Sequence, residues 1–325
     1  MGPALGELSE ADVLARILPI LPRGRKTLIG PGDDSAVVEL SDARVVVSTD
    51  SMIEGPDFRR EWSTPFDIGW KIAAVNLADI AAMGANPIAL VVAFAAPPET
   101  PIDDLVGIAE GLAAACQECA PGVGVVGGDL ASAPVLTLAV TAFGELDGRS
   151  AIRRSGAQPG DVIAHAGQRG AAARGLSKLF SDAVDANRKP DAARADALRT
   201  DPDVVAQLRP RPAIAAGIAA GVSGAHAMLD VSDGLAQDAE RLALASGVGI
   251  TFDDTAFVDE WELHGGEDHG MLAAFDPETA LPEGFTRIGI ATPGAVELRW
   301  RGSLVTPRRW EALHDWHRAS GGHSA

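Results

Sequence analysis

The chain has 325 residues, of which 46% are hydrophobic and 22% are charged, and its formal net charge at pH 7 is −18. This length predicts two domains of ordinary size, and the composition provides enough apolar side chains for a core. The negative charge argues against binding to nucleic acid or to an anionic membrane, and a phosphorylated substrate would need bridging cations.

In the first half of the chain, strands and helices alternate. SAVVEL (35–40) and RVVVSTD (44–50) are predicted strands, and the turn between them favours a hairpin. The Ala-rich stretch 65–84 predicts a long helix that starts near Pro65, ends at Gly84 and is buried because it is apolar nearly all round. A strand at 88–94, a helix at 102–119 and strands at 122–126 and 135–146 follow.

The turn-rich segment RRSGAQPGD (153–161) is the best domain boundary, so we expect domains at 1–150 and 151–325. Residues 182–203 predict a solvated, partly helical connector. The second half again mixes strands and helices, so the fold class is α+β, or mixed α/β. Strands are predicted at 161–167, 226–230, 247–254, 269–275, 285–291 and 295–300, and helices at 169–180, 211–221 and 234–246.

Two further features narrow the class of protein. The longest apolar run (88–96) is far shorter than the roughly 20 residues that a bilayer requires, and the first residues carry no basic stretch followed by an apolar one. We therefore expect a cytoplasmic protein without a membrane partner. Cys116 and Cys119 lie in a predicted helix without histidines to complete a zinc site, which favours core thiols over metal or redox roles.

Carboxylates recur where predicted strands end. RVVVSTD ends in Asp50, VGVVGGD in Asp129, and HAMLDVSD in Asp230 and Asp233. Two other carboxylates precede the strand at 35–40 (Asp33 and Asp34), and Asp79 interrupts the apolar helix, one turn after Asn76. Convergent carboxylates would suit a hard divalent cation, Mg²⁺ above all. The alternative for each residue alone is a turn former or a helix N-cap.

Several common nucleotide and hydrolase motifs are missing from the sequence. It contains no G-x-x-x-x-G-K-[ST] loop, no G-x-G-x-x-G that opens a helix after a strand, no H-E-x-x-H and no G-x-S-x-G. Glycines nevertheless flank the acidic segments, and their backbone N–H groups can approach phosphate oxygens closely.

Taken together, seven motifs resemble the thiamine-monophosphate kinase family, in order and in register over roughly residues 28–275. They are GPGDDSAVV, VVSTDSMIEG, IGWKIAAVNLADIAAMGA, VVGGD, RSGAQPGD, MLDVSDGLAQD and HGGEDH. That family belongs to a superfamily of ATP-dependent enzymes that includes aminoimidazole ribonucleotide synthetase. The resemblance implies transfer of the ATP γ-phosphoryl group to the phosphate of thiamine monophosphate, assisted by several Mg²⁺ ions.

The resemblance also implies an architecture. Two N-terminal domains would pair their sheets into a shared β-barrel flanked by helices, which makes the protein a homodimer. A C-terminal α/β domain would complete the ATP and substrate cleft on each copy.

Individual roles carry over only where this sequence matches the motifs. The implied metal ligands are Asp33, Asp34, Ser48, Thr49, Asp50, Asp79, Asp129, Asp230 and Asp233, and the implied catalytic residues among them are Asp50, Asp79, Asp129 and Asp230. The implied ATP contacts are Gly128, Asp129, Arg154 and Ser232. The implied substrate contacts are Asp57, Glu267 and Trp310.

Two positions depart from the family pattern, and both lie on the acceptor side. EGPDF carries Asp57 where the family usually has a histidine, which exchanges a donor for an acceptor and weakens a phosphate contact there. In RRWEAL, Leu313 occupies the second aromatic position beside Trp310, and DWHRA with Trp316 is a rival match. ATP and Mg²⁺ use is therefore better supported than the acceptor.

Two alternatives stay open. One is a related ATP-dependent enzyme that acts on a different phosphorylated small molecule. The other is a non-catalytic nucleotide-binding module, which would be expected to lack some of the matched carboxylates. Selenophosphate synthetase and the hydrogenase maturation factor of the superfamily would need cysteines near the N- or C-terminus, and this sequence has neither.

Overall fold

The computed structural model describes residues 2–32 and 35–308. After a short 3-10 helix (Leu5–Glu7), the N-terminal half contains α1 (Glu10–Ile17), β1 (Thr27–Ile29), β2 (Val37–Val38), β3 (Val46–Ile53), α2 (Pro65–Ala82), β4 (Asn86–Ala96), α3 (Ile102–Cys119), β5 (Gly124–Ser132) and β6 (Thr137–Glu145). The C-terminal half contains β7 (Val162–Ala166), α4 (Ala171–Asp182), α5 (Ala192–Ala197), α6 (Pro202–Leu208), α7 (Ile214–Ser223), β8 (Ala227–Val231), α8 (Leu235–Ser246), β9 (Gly249–Phe252), α9 (Glu260–His264), β10 (Gly270–Phe275), β11 (Phe285–Thr292), β12 (Leu298–Trp300) and β13 (Ser303–Leu304).

The two halves are each built on a sheet. In the N-terminal half the strand order is β3-β6-β4-β5, and in the C-terminal half it is β13-β12-β9-β11-β7-β10-β8. Most neighbours are antiparallel, whereas β4–β5 and β12–β9 are parallel. The predicted mixed α/β class is confirmed. Over residues 2–32 and 35–308 neither sheet closes on itself into a barrel.

The long buried helix predicted at 65–84 is α2, and its start has a clear physical cause. Thr64 accepts a hydrogen bond from the backbone N–H of Asp67, Asp67 accepts one from the N–H of Thr64, and Pro65 occupies the first turn. Gly84 ends the segment with a φ of 70°. The helix packs on β3, β6 and α3, and also on α7 and β8 of the other half.

Two glycines allow α2 and α3 to cross at very short range. A Cβ at Gly69 would lie 2.0 Å from the carbonyl oxygen of Ile108, and a Cβ at Gly111 would lie 2.0 Å from that of Phe66. Only glycine fits at such a crossing, because any side chain would overlap the neighbouring backbone. The crossing fixes α2 against its own domain.

The predicted hairpin between residues 35–40 and 44–50 is wrong. The short β2 pairs with β1, through Thr27 and Val38, whereas β3 forms an eight-residue antiparallel ladder with β6. The ladder with β6 spans all eight residues of β3, whereas β2 has only two residues to offer. The turn itself is held by the distant Glu145, whose carboxylate accepts a hydrogen bond from the N–H of Ser41 at 2.8 Å.

The two cysteines are free thiols in α3, Cys116 buried and Cys119 half-buried. Burial raises the pKa of Cys116 to about 12 and that of Cys119 to about 11, so both are protonated at neutral pH. This environment is that of the core thiols the sequence predicts. No helix in the described part of the chain combines the length and apolarity needed to cross a membrane.

Candidate active site

A cleft of about 820 Å³ lies between the two halves of the chain. Its walls come from β3 and the segment after it, from α2, from α4 and α6, and from the loops that follow β8 and α9. Carboxylates line one part of it, namely Asp50, Asp79, Asp230 and Asp233, and aromatic and aliphatic side chains line another, namely Phe58, Trp62, Leu176, Leu179, Phe180 and Trp261. The cleft therefore offers both charged and apolar surface to a bound molecule.

Asp79 lies at the centre of the acidic part. Its Oδ2 accepts a 2.6 Å hydrogen bond from the Oγ of Ser48, which connects α2 to β3. Desolvation, followed by the neighbouring charges of Asp230 and Asp50, raises the pKa of Asp79 to about 7. The three carboxylates are thus close enough to repel one another, and they come from β3, α2 and β8.

Asn76 fixes the backbone beside Asp50. Its Oδ1 accepts a 3.2 Å hydrogen bond from the N–H of Asp50, and its Nδ2 donates one of 2.8 Å to the carbonyl oxygen of Ile72. The predicted i,i+3 pair of Asn76 and Asp79 therefore shares the helix face that meets β3. A fully buried amide is used here to hold a strand in place.

The acidic cluster has the chemistry that a hard cation needs. Oxygen donors from Asp50, Asp79 and Asp230 face one another in a partly desolvated space, and a divalent cation between them would remove their mutual repulsion. No three carboxylate, histidine or cysteine side chains within residues 2–32 and 35–308 already stand at metal-binding spacing. Asp33 and Asp34 lie outside the described residues.

Five of the predicted site residues that the structure describes do not line this cleft: Ser48, Thr49, Gly128, Asp129 and Arg154. Successive residues of a strand face opposite sides, so Thr49 turns away from α2, and its Oγ1 donates to the carbonyl oxygen of Val140 on β6 at 3.0 Å. Asp129 is exposed and in register with Ala93 of β4, on the sheet face away from α2. Arg154 is also exposed.

The prediction that carboxylates mark strand ends is wrong for two of them. Asp50 and Asp129 lie inside β3 and β5, which continue for three residues beyond each, and Asp230 is the penultimate residue of β8. The physical reason is position in the sheet. All three strands are edge strands, where a polar side chain remains accessible without interrupting the ladder.

The segment after β8 docks against the loop 265–269. The N–H of Glu267 donates to the carbonyl oxygen of Ser232 at 2.8 Å, and that of His269 donates to the carbonyl oxygen of Val231 at 3.1 Å. The ring Nδ1 of His269 lies 3.2 Å from the Oδ2 of Asp230. Asp233 does not cap α8 with its side chain, since its carboxylate pairs with Arg241 at 2.5 Å.

The loop 265–269 also brings Glu267 into the cleft. Glu267 and His269 both adopt a positive φ, of 71° and 51°, which non-glycine residues rarely do. The Nζ of Lys71 on α2 lies 2.5 Å from the Oε2 of Glu267. Desolvation raises the pKa of Glu267, but the charges of Lys71 and His269 outweigh it, and the net pKa lies below its ordinary value.

Sequence reasoning missed Lys71, His269 and Gln207, which all line the cleft. Lys71 is the only basic residue of α2, and a single lysine in a mostly apolar helix is the available signal. With its amide oriented to satisfy both partners, Gln207 accepts from the Nζ of Lys71 and donates to the carbonyl oxygen of Ala172, each at 3.1 Å. Nothing in the sequence marks Gln207 as a partner of a residue so far along the chain.

On the acceptor side, Asp57 lines the cleft and its Oδ2 accepts a 2.7 Å hydrogen bond from the N–H of Ile53. Desolvation, with the charge of Glu267 in addition, raises its pKa. Trp310, Leu313 and Trp316 lie outside the described residues. Arg308, the last described residue, lines the cleft and pairs with Glu260 at 2.9 Å.

The chain matches two family models in succession. Residues 32–146 match the AIR synthase related protein, N-terminal domain, and residues 158–296 match the AIR synthase related protein, C-terminal domain. Together these ranges cover well over half of the chain, and the gap between them contains most of the predicted boundary at 153–161.

Individual relatives are similar over nearly the whole chain. The thiamine-monophosphate kinase of Mycobacterium tuberculosis is 38% identical, over 97% of this chain and 92% of its own length. That of Corynebacterium glutamicum is 35% identical, over 90% of this chain and 88% of its own.

Solved structures have the same fold. The thiamine-monophosphate kinase of Stenotrophomonas maltophilia K279a superposes with a TM-score of 0.73 at 30% identity, covering 91% of this chain and 96% of its own. The structure of AaThiL complexed with AMPPCP and TMP superposes with a TM-score of 0.69 at 26% identity, covering 94% of this chain and 97% of its own. By its domains, by its sequence and by its fold, the chain belongs to the thiamine-monophosphate kinase family of AIR synthase-related proteins.

Proposed function

We propose that this protein transfers the γ-phosphoryl group of ATP directly to the phosphate of thiamine monophosphate, which yields thiamine diphosphate. The observation that carries the proposal is the cleft, in which an acidic cluster and an apolar, aromatic wall lie side by side. Curated relatives over nearly the full chain are thiamine-monophosphate kinases, and a related structure holds AMPPCP, an ATP analogue, together with TMP.

The chemistry explains why so many carboxylates gather in one place. The acceptor oxygen of a phosphate monoester is already anionic near neutral pH, so the reaction needs no strong general base. The obstacle is repulsion between the two phosphate groups. Bound Mg²⁺ would neutralise that charge and align the groups for in-line transfer. Of the described residues, Asp50, Asp79 and Asp230 are best placed to hold such ions, with Ser48 orienting Asp79.

The other proposed metal, nucleotide and acceptor ligands are supported by fewer observations. Ser232 and Asp233 line the cleft beside Asp230 and are proposed to share metal and nucleotide with it. For Thr49, Gly128, Asp129 and Arg154 the support is the motif resemblance alone, and the same holds for Asp33 and Asp34. Glu267 and Asp57 line the acceptor side of the cleft, and we propose that they face the acceptor's cationic ring. We propose on the motif resemblance alone that Trp310 contacts the substrate.

We also propose a cytoplasmic homodimer in which residues 1–150 pair through their sheets and residues 151–325 complete the site. The support is the sheet face opposite α2, where Val47 is 52% exposed and Ile53 38% exposed, next to the exposed Val45. Val47 and Ile53 lie on the edge strand β3, in register with Phe143 and Thr137 of β6. An apolar face of this kind on a sheet edge favours pairing with a second copy.

The test is a direct assay. The purified protein is incubated with ATP, Mg²⁺ and thiamine monophosphate, and the products are separated by chromatography, with Asp50→Asn and free thiamine as controls. Thiamine diphosphate formed by the intact protein alone, and from the monophosphate alone, is the expected result. If ATP binds with Mg²⁺ but no thiamine diphosphate forms, the acceptor is a different phosphorylated small molecule, which is the second candidate function.

A further inference from the structure

Lys71 is a charged side chain in a place that disfavours charge. It belongs to α2, whose neighbouring residues are buried and apolar, and its own side chain is 11% exposed. A lysine ammonium is strongly hydrated, so burying it is unfavourable unless its donors find partners. Its partners therefore indicate what the residue is for.

Both partners of Lys71 come from the C-terminal half. Its Nζ lies 2.5 Å from the Oε2 of Glu267 and 3.1 Å from the amide oxygen of Gln207, a residue that is 6% exposed. Gln207 is anchored in turn on the carbonyl oxygen of Ala172. The buried amide of Gln207 thus holds the Lys71 ammonium in a position where it pairs with Glu267.

The ion pair with Lys71 is the main contact of the Glu267 side chain, which Gln207 also borders. Its backbone is held at a positive φ by the hydrogen bond to Ser232, but its side chain remains 44% exposed in the cleft. An exposed glutamate samples several rotamers, and fixing one of them costs conformational entropy. The contact with Lys71 engages Oε2 and so favours one orientation of the carboxylate.

We propose that Lys71 is a positioning residue for the acceptor: through Glu267 it fixes the carboxylate that meets the cationic ring of thiamine monophosphate. This inference rests on the proposed function. Lys71 acts on acceptor binding and not on ATP, since its partner lies on the loop 265–269 and not among Asp50, Asp79 and Asp230. A purely structural link between the halves would instead affect both substrates alike.

The chain offers a matched control in Lys178 on α4. Its Nζ also pairs with two side chains, Asp201 at 2.7 Å and Asp203 at 2.9 Å, but none of the three lines the cleft. Lys178→Met and Lys71→Met therefore remove the same kind of contact, one outside the site and one inside it. The first is expected to leave both KM values within twofold of the wild type.

The experiment is steady-state kinetics of the full chain with ATP, Mg²⁺ and thiamine monophosphate. We expect Lys71→Met to raise the KM for thiamine monophosphate about 10- to 100-fold while the KM for ATP stays within about twofold. Lys71→Arg, which keeps the charge, should recover part of the loss. The double variant Lys71→Met with Glu267→Gln should raise the KM for thiamine monophosphate no more than the worse single variant does, because both substitutions remove the same contact.

Glu267→Asp covers the case in which Lys71→Met fails to fold. It keeps the negative charge but shortens the side chain by one methylene, so it should lose the contact with Lys71 and raise the same KM. The proposal is overturned if Lys71→Met or Glu267→Asp changes both KM values equally or neither, or if the two losses multiply in the double variant. If the wild-type protein makes no thiamine diphosphate, the proposed function itself fails.

Discussion

The Oγ of Ser48 and the Oδ2 of Asp79 are joined by a 2.6 Å hydrogen bond across 31 residues of sequence. The bond links an edge strand to the central helix at the point where Asp50, Asp79 and Asp230 face one another. It holds Asp79 in an orientation that like charges oppose. Repulsion within the acidic cluster therefore lowers the stability of the native state, and the function of the site requires that arrangement.

Replacing Asp79 with asparagine should expose this conflict. In EDTA at pH 8 the carboxylate of Asp79 is ionised beside Asp50 and Asp230, so Asp79→Asn should raise the free energy of unfolding by about 1 kcal/mol. Asparagine can still accept the hydrogen bond from Ser48. The same variant should lower kcat at least about 100-fold, because a cation ligand is lost.

Urea denaturation with and without Mg²⁺ and ATP measures both effects. Ligands that bind only the native state stabilise the wild type by about 2.7 kcal/mol at 100 times their Kd, and the variant should lose most of that gain. Ser181→Ala, on the surface and outside the cleft, serves as a control. A variant that is less stable than the wild type in EDTA would contradict the argument.

The helix crossing at Gly111 should be intolerant of even one methyl group. A Cβ there would lie 2.0 Å from the carbonyl oxygen of Phe66 and 2.7 Å from the N–H nitrogen of Trp70. We expect Gly111→Ala to destabilise the protein by about 3 kcal/mol or more, against its better helix propensity. Urea denaturation measures this, with Ala113→Gly in the same helix as the reference for propensity alone, at about 1 kcal/mol.

His165 on β7 should make the protein sensitive to acid. Complete burial, with the charge of Arg169 in addition, lowers the pKa of its imidazole to about 3. The unfolded chain takes up a proton near pH 6.5 and the native state does not, so stability is full above that pH and falls as the pH drops towards about 3. His165→Leu should remove this part of the slope.

Free energies of unfolding measured between pH 7.5 and pH 4 test this expectation. The wild type should lose up to about 1.4 kcal/mol per pH unit more than His165→Leu below pH 6.5. Equal slopes for the two proteins would show that His165 is protonated in the native state at these pH values.

Asp57 should contribute to acceptor binding through its charge alone. Asp57→Asn can keep the hydrogen bond from the N–H of Ile53, so its stability should stay within about 0.5 kcal/mol of the wild type. If Asp57 and Glu267 together face the cationic ring, the KM for thiamine monophosphate should rise about three- to tenfold. A fall in that KM would instead place Asp57 beside the acceptor's phosphate.

Sequence patterns predicted the helices of this fold better than the pairing of its strands. Pro65 and Gly84 are local signals, and they define α2 correctly. The predicted partner of β3 is wrong because pairing with β6 depends on residues 137–145, far along the chain. Periodicity carries no information about which strand will lie at an edge, and for this reason the predicted strand ends at Asp50 and Asp129 are wrong.

In the candidate site, too, local features are predictable from the sequence and long-range contacts are not. The acidic residues of the cleft could be named from motifs, because each motif is short and local. Lys71 and Gln207 could not, because their meeting with Glu267 depends on how the two halves pack. A single lysine in an apolar helix shows that a partner exists, but not which one.

The close crossing of α2 and α3 also fixes the distance between two parts of the cleft. Because α2 is buried along almost its whole length and crosses α3 at very short range, its position is fixed. Lys71 and Asp79 are eight residues apart on one face, which corresponds to about 12 Å along the helix axis. The separation of Lys71 and Asp79 along α2 is therefore constant. A molecule that contacts both Glu267 and the acidic cluster has to span about that distance.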